Sequence, residues 1–210
     1  MFYKSEYFER EIMKISNAQL QDFVRYFFNE VVGNWFWKSG ASSSGRYHPA
    51  FAQGEGGLVR HTRAVCWVCE ELLKMSSYSY MREEFKDYAR VACLLHDTCK
   101  YGKGNEEDKS CYRNHGKLAA DLVQETWVQK YYEDCPELLL MAIYSHMGQW
   151  VENKEDKPFT NIDRLVHLSD YIASRSFWDI PQLSLEYADD ELRECAEFTN
   201  YDFFSENAPF

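Results

Sequence analysis

The sequence predicts an all-α fold: its 210 residues read as one helical bundle with an N-terminal helical extension and an acidic C-terminal tail. Three observations carry this. Apolar residues recur at i, i+3 and i+4 along successive segments, the spacing that puts them on one helical face. Segments with strict two-residue alternation, the mark of half-buried strands, are few. The stretches between periodic segments are rich in Gly, Ser and Pro.

The elements follow in order. Asn17 suits the N-cap of a helix through Leu20, Phe23, Val24, Phe27, Phe28 and Val31, ending near Gly33. Trp35, Phe36 and Trp37 are expected in the core or a lid. Residues 38–57 (KSGASSSGRYHPAFAQGEGG) read as a long loop. Helices are expected over about 58–75 and 82–98, with a polar loop over 101–111. Three more follow over 114–131, 136–147 and 161–176, with Pro136 at a first-turn position. Pro181 ends the helical core, and one further helix is expected around 183–198. This divides the chain into an N-terminal extension (1–55), a central domain (56–180) and a tail (181–210).

Charge narrows the partners. The formal net charge is −11. Residues 181–210 hold eight acids and one base, Arg193. So acidic a chain is poorly suited to long nucleic acid, whose binding depends on neutralising phosphates. A small phosphorylated ligand held by a metal stays compatible with it. At 45% hydrophobic and 17% aromatic residues, the chain is too apolar for disorder. It has no run approaching the roughly 20 apolar residues of a membrane span. The charged start, Met1 to Lys14, predicts no signal peptide. The seven cysteines are odd in number and form no paired framework, so a cytoplasmic protein with reduced thiols is expected.

Four of the six histidines lie on the apolar stripes of their helices. His61 shares a face with Ala64, Val65, Val68 and Leu72. His115 shares one with Leu118, Ala119 and Leu122, and His146 with Leu139, Ala142 and Ile143. His96 ends the run Val91–Leu95, and Asp97 follows it. Asp170 shares its face with Val166 and Ala173. Burying an unpartnered imidazole or carboxylate is costly. A single such residue is readily a satisfied core side chain; six from five helices point to a shared site. Mixed His and carboxylate donors suit a transition metal, and a bundle core can gather them from several helices.

The ordered set His61, His96-Asp97, His115, His146, Asp170 resembles the HD-domain superfamily of metal-dependent phosphohydrolases. LLHDTCK resembles its central motif, with Lys100 in the family's lysine position. GGLVRHT resembles the first histidine motif, as found in HD domains attached to bacterial 3′–5′ exoribonucleases. NHGKLAADL resembles the third motif. LVHLSDYIASR resembles the final aspartate motif, in the form seen in dinucleoside-tetraphosphate hydrolases. The likeness covers about residues 56–176. Thr98-Cys99 departs from the commoner small aliphatic-Gly pair, and neither the first fifty-odd residues nor the tail match a pattern.

The resemblance implies that His61, His96, Asp97 and Asp170 hold one divalent ion, and that His115 and His146, with Asp97 bridging, hold a second. The ions would be Fe, Mn, Co, Ni or Zn, one or two in number. It further implies cleavage of a phosphate ester or phosphodiester of a small nucleotide by a metal-bridging hydroxide. Asp97 and Lys100 are the candidate catalytic residues. Lys100 would contact phosphate or orient the nucleophile; its ordinary alternative is a lysine at a helix C-terminus. Arg60, beside His61, and Arg175, beside the last motif, are the candidate substrate-binding residues among several arginines. The same ligands also serve HD-domain di-iron oxygenases, and a catalytically silent nucleotide sensor is a third reading.

Other residues have ordinary readings. Cys66 and Cys69 have C-x-x-C spacing but fall mid-helix, where packing is expected. His48 sits in the Gly/Ser-rich loop, where a surface position is expected; the alternative is a general acid for the leaving group. His167, one turn before Asp170, suits either the core or support of the ligands.

Overall fold

The Asn17 side chain caps the first long helix, accepting hydrogen bonds from the Gln19 (2.9 Å) and Leu20 (3.2 Å) amides. The computed structural model describes residues 4–42, 48–103, 112–150, 157–177 and 180. Among them are eight α-helices and no strand. These are α1 (Glu9–Ile12), α2 (Ala18–Tyr26), α3 (Asn34–Lys38), α4 (Gly57–Lys74), α5 (Glu83–Leu95), α6 (His115–Tyr131), α7 (Glu137–Ser145) and α8 (Asn161–Ala173). A wider π turn prolongs α2 over Phe27–Val31. None of the described helices is long and apolar enough to cross a membrane. The helix expected around 183–198 lies outside the described residues, as do 104–111 of the predicted polar loop.

α5 and α8 form the centre of the bundle. Each packs against the other, against α4 on one side and against α7 on the other; α6 covers α7. Val91 to Leu95 are all buried, as their uninterrupted apolar run requires. The N-terminal helices add Phe8, Ile12, Phe23, Phe27 and Phe28 to the same hydrophobic core.

Two details depart from the expected pattern. The short helix α3 appears where only core or lid aromatics are expected. Its Phe36 is buried and meets Phe8 and Phe28 at ring separations of 6.2 and 5.9 Å. Tertiary aromatic packing holds a turn too short to persist alone. α5 also stops at Leu95, three residues before the expected end at 98. There Thr98 Oγ1 donates to the Leu95 carbonyl (2.8 Å), competing with the helical ladder.

Local chemistry fixes the remaining ends. α8 begins with a capping box: the Thr160 hydroxyl accepts from the Asp163 amide, and the Asp163 carboxylate accepts from the Thr160 amide. The buried Asp87 carboxylate accepts the Ser16 and Asn17 amides, each at 3.0 Å, and pairs with Arg90 at 2.9 Å. It thereby ties the start of α2 to α5.

Candidate metal centre

The six predicted ligands converge from five places in the bundle. His61 lies in the second turn of α4, while His96 and Asp97 lie at the end of α5. His115 is the first residue of α6, His146 follows α7, and Asp170 lies in the last turn of α8. All four histidines and Asp97 are buried. They form two groups whose ligand atoms lie within 4.8 Å of one another: His61, His96 and Asp170, and Asp97, His115 and His146.

Asp97 joins the two groups. Its Oδ2 lies 3.5 Å from His96 Nε2 and 3.7 Å from His61 Nε2. Its Oδ1 lies 3.0 Å from His115 Nε2 and 3.6 Å from His146 Nε2. Asp170 Oδ1 closes the first group, 3.1 Å from His61 Nε2 and 3.9 Å from His96 Nε2.

Backbone carbonyls set the imidazole tautomers. Nδ1 of His96 donates to Cys93 O (2.8 Å), Nδ1 of His115 to Tyr112 O (2.7 Å), and Nδ1 of His146 to Ile143 O (2.7 Å). Each Nδ1 thus carries the proton, and each Nε2 turns a lone pair toward the site. His115 Nε2 and His146 Nε2 stand 3.1 Å apart. With both protons on Nδ1, two lone pairs face each other there, an unfavourable contact that a cation would relieve. Ligands about 2.1 Å from one ion at right angles stand about 3 Å apart. His96 Nε2 and Asp97 Oδ1 are buried without a well-directed hydrogen bond. These donors therefore fit divalent metal.

The electrostatics favour ligation. Burial disfavours charge on Asp97, but Lys100 and His96 outweigh it and hold the carboxyl well below its usual range. Asp170 is held down likewise, chiefly through its hydrogen bond to His61. Burial pushes His146 down to about 4, and it also lowers His61. His96 is raised: burial opposes its charge, but Asp97 and Asp170 prevail.

Lys100 is brought to the centre, with its ammonium 2.6 Å from Asp97 Oδ2. The two arginines expected to bind substrate each have partners within the chain. Arg60 donates to the carbonyls of Phe51, Gln53 and Glu55 and so clamps the loop before α4. Arg175 donates to Tyr171 O and Ser174 Oγ and lies over the Tyr171 ring. Trp150 is exposed. Cys66 and Cys69 are buried and free in the middle of α4, in line with packing.

Three further residues support the centre. His48 is not a surface residue: its ring packs edge-on against His61 at 5.0 Å, and burial pushes it down to about 3. Only its distance from His61 along the chain concealed this. His167 Nδ1 donates to the His146 carbonyl (2.8 Å), bracing the turn that carries this ligand. Gly116 lets α6 approach α7: a Cβ there would lie 2.8 Å from Tyr144 O and 3.1 Å from the His146 ring.

No curated protein and no solved structure matches the chain. The sequence profile of the HD domain does, over residues 58–175. That span contains all six converging ligands and Lys100, and it covers more than half of the chain. The chain belongs to the HD-domain superfamily of metal-dependent phosphohydrolases.

Proposed function

We propose that the protein hydrolyses a phosphate ester or phosphodiester of a small nucleotide, using two divalent transition-metal ions. The observation that carries this reading is Asp97, whose two oxygens face two separate donor groups. A carboxylate so placed suits a two-ion site. Bound metal supplies a water nucleophile at neutral pH and positive charge for the phosphoryl oxygens.

The chain's own residues do the rest. His96, His115 and His146 hold their lone pairs inward through fixed Nδ1 protons. Lys100 keeps Asp97 ionised, and its ammonium sits where it can also meet a phosphate oxygen. Removing the ligands from water strengthens each of these interactions. The net charge of −11 favours a small substrate over long nucleic acid. The five described cysteines are free and buried, which supports a cytoplasmic location.

The test is turnover of a nucleotide and phosphodiester panel after loading with Mn²⁺, Fe²⁺, Co²⁺, Ni²⁺ or Zn²⁺. Phosphate or nucleotide release that disappears in Asp97→Ala is expected. Dioxygen uptake by the iron-loaded protein, without phosphate release, would move the site to the oxygenase class. Metal binding without any turnover would leave a sensor.

A further inference from the structure

His61 differs from the other ligand histidines in how its second nitrogen is placed. His96 and His146 follow the C-terminal ends of α5 and α7, where the last carbonyls lack helical donors, and His115 opens α6, so that the carbonyl three residues before it lies outside the helix; each of these carbonyls accepts Nδ1. His61 sits inside α4, where the helical ladder occupies those carbonyls. Leu58 O, three residues before it, also accepts the Thr62 hydroxyl at 3.0 Å. His61 Nδ1 is accordingly buried without a hydrogen bond. A buried N–H left so is costly, and a metal on Nε2 requires the proton to be on Nδ1.

The neighbouring ring has the complementary lack. His48 Nδ1 is also buried without a hydrogen bond. The two rings are 5.0 Å apart at 72°, the same separation as the ligand pair His115 and His146. The loop that carries His48 is firmly seated. Gln53 Nε2 donates to the His48 carbonyl (3.3 Å), and the Ala52 amide to Pro49 O (3.1 Å). The Ala41 amide donates to Ala52 O (2.9 Å), and Arg60 grips the next carbonyls. Gly57 is required beneath it, since a Cβ there would strike the Ala52 carbonyl.

We propose that His48 is a positioning residue of the metal centre: its Nδ1 accepts the His61 Nδ1 proton, after a small rotation of either ring or across one water, and so presents His61 Nε2 to the metal. This rests on the metal-centre reading above. It gives His61 from another part of the chain what the other three histidines obtain from their own backbone. Such outer-shell acceptors typically change metal affinity by about 10–100-fold.

The test uses Co²⁺ alone, titrated into the full-length metal-free protein and followed by visible absorption. The binding step lost in His61→Ala identifies the ion held by His61. In His48→Ala that step should weaken by about 10–100-fold. In His48→Asn, whose amide oxygen can occupy the acceptor position, most of the affinity should return. Imidazole ¹⁵N spectra of the Zn²⁺-loaded wild type should show His61 protonated on Nδ1 and His48 unprotonated on Nδ1. Unchanged affinity in His48→Ala, an Asn variant no better than Ala, or a wild-type His48 proton on Nδ1 would each overturn the inference. Should His48→Ala fail to fold, the Asn variant and the wild-type spectrum decide it. A wild type that binds no Co²⁺ overturns the metal-centre reading itself, which separates the two failures.

Discussion

The Lys100 ammonium lies 2.6 Å from Asp97 Oδ2, the carboxylate oxygen that also faces His61 and His96. In the metal-free protein this lysine is the nearest permanent cation to a buried carboxylate. Removing one partner of a buried pair costs about 3–5 kcal/mol. Lys100→Met should therefore destabilise the metal-free protein by an amount in that range. Bound divalent metal supplies the missing charge, so the loss should shrink when metal is present. Urea unfolding with and without Co²⁺ checks this; an equal loss in both states would contradict it.

Acid should destabilise the metal-free protein before any carboxylate titrates. Burial holds His48 at about 3 and His146 at about 4, below the ordinary 6.5. Both bind protons more readily in the unfolded chain, so their contribution is present above 6.5 and is lost as pH falls toward the folded values. His61 acts in the same sense. His96, raised instead, opposes them: its contribution is present at low pH and lost as pH rises through its folded value. Between pH 7 and 5 the loss is on the order of 2 kcal/mol for each imidazole kept neutral. Below the ordinary 3.8, Asp97 and Asp170 extend the fall. Urea midpoints measured from pH 7 to 4 should decline steadily.

Two glycines should prove intolerant because of what lies against them. Gly116→Ala places a methyl 3.1 Å from the His146 ring and 2.8 Å from Tyr144 O. It should cost about 1–3 kcal/mol and weaken metal binding at the His115 and His146 end. Gly148 has φ +59, and a Cβ there would fall within the His167 imidazole. Gly148→Ala combines left-handed strain of about 1–2 kcal/mol with that collision. Thermal melts and Co²⁺ titration of both variants provide the check.

Far from the metal centre, Asp87→Ala should be among the most destabilising changes. It leaves the Ser16 and Asn17 amides without their acceptor and deprives Arg90 of a buried partner. A loss of about 3 kcal/mol or more is expected, with metal affinity in the folded fraction unchanged. A loss under about 1 kcal/mol in urea unfolding would show that water replaces the carboxylate.

The ligands were legible because burial and chemistry conflict at them. An imidazole on an apolar stripe, as at His61, His115 and His146, is costly unless it is used, and that conflict is visible in one helix at a time. The start of α2 was legible because its cap, Asn17, is local. α3 was not, because its stability comes from Phe8 and Phe28, far away in sequence. A surface position is the ordinary expectation for His48 for the same reason: a Gly/Ser-rich loop gives no local sign that it folds back onto α4. Arg60 could be read only as a cation near a ligand, since its loop carbonyl partners depend on the path of the chain.

The sequence by itself determined the helical class and the six candidate ligands, because periodicity and the misfit of polar groups on apolar faces are local properties; the ordered motifs around those ligands carried the HD-domain resemblance. Tertiary structure alone decided the distances at which the two Asp97 oxygens face the donor groups, the Lys100 contact that balances them, the loop carbonyls that Arg60 grips, and the meeting of His48 with His61. Those relations join residues from different helices and loops, and their distances are set by how the bundle packs, which no single segment encodes.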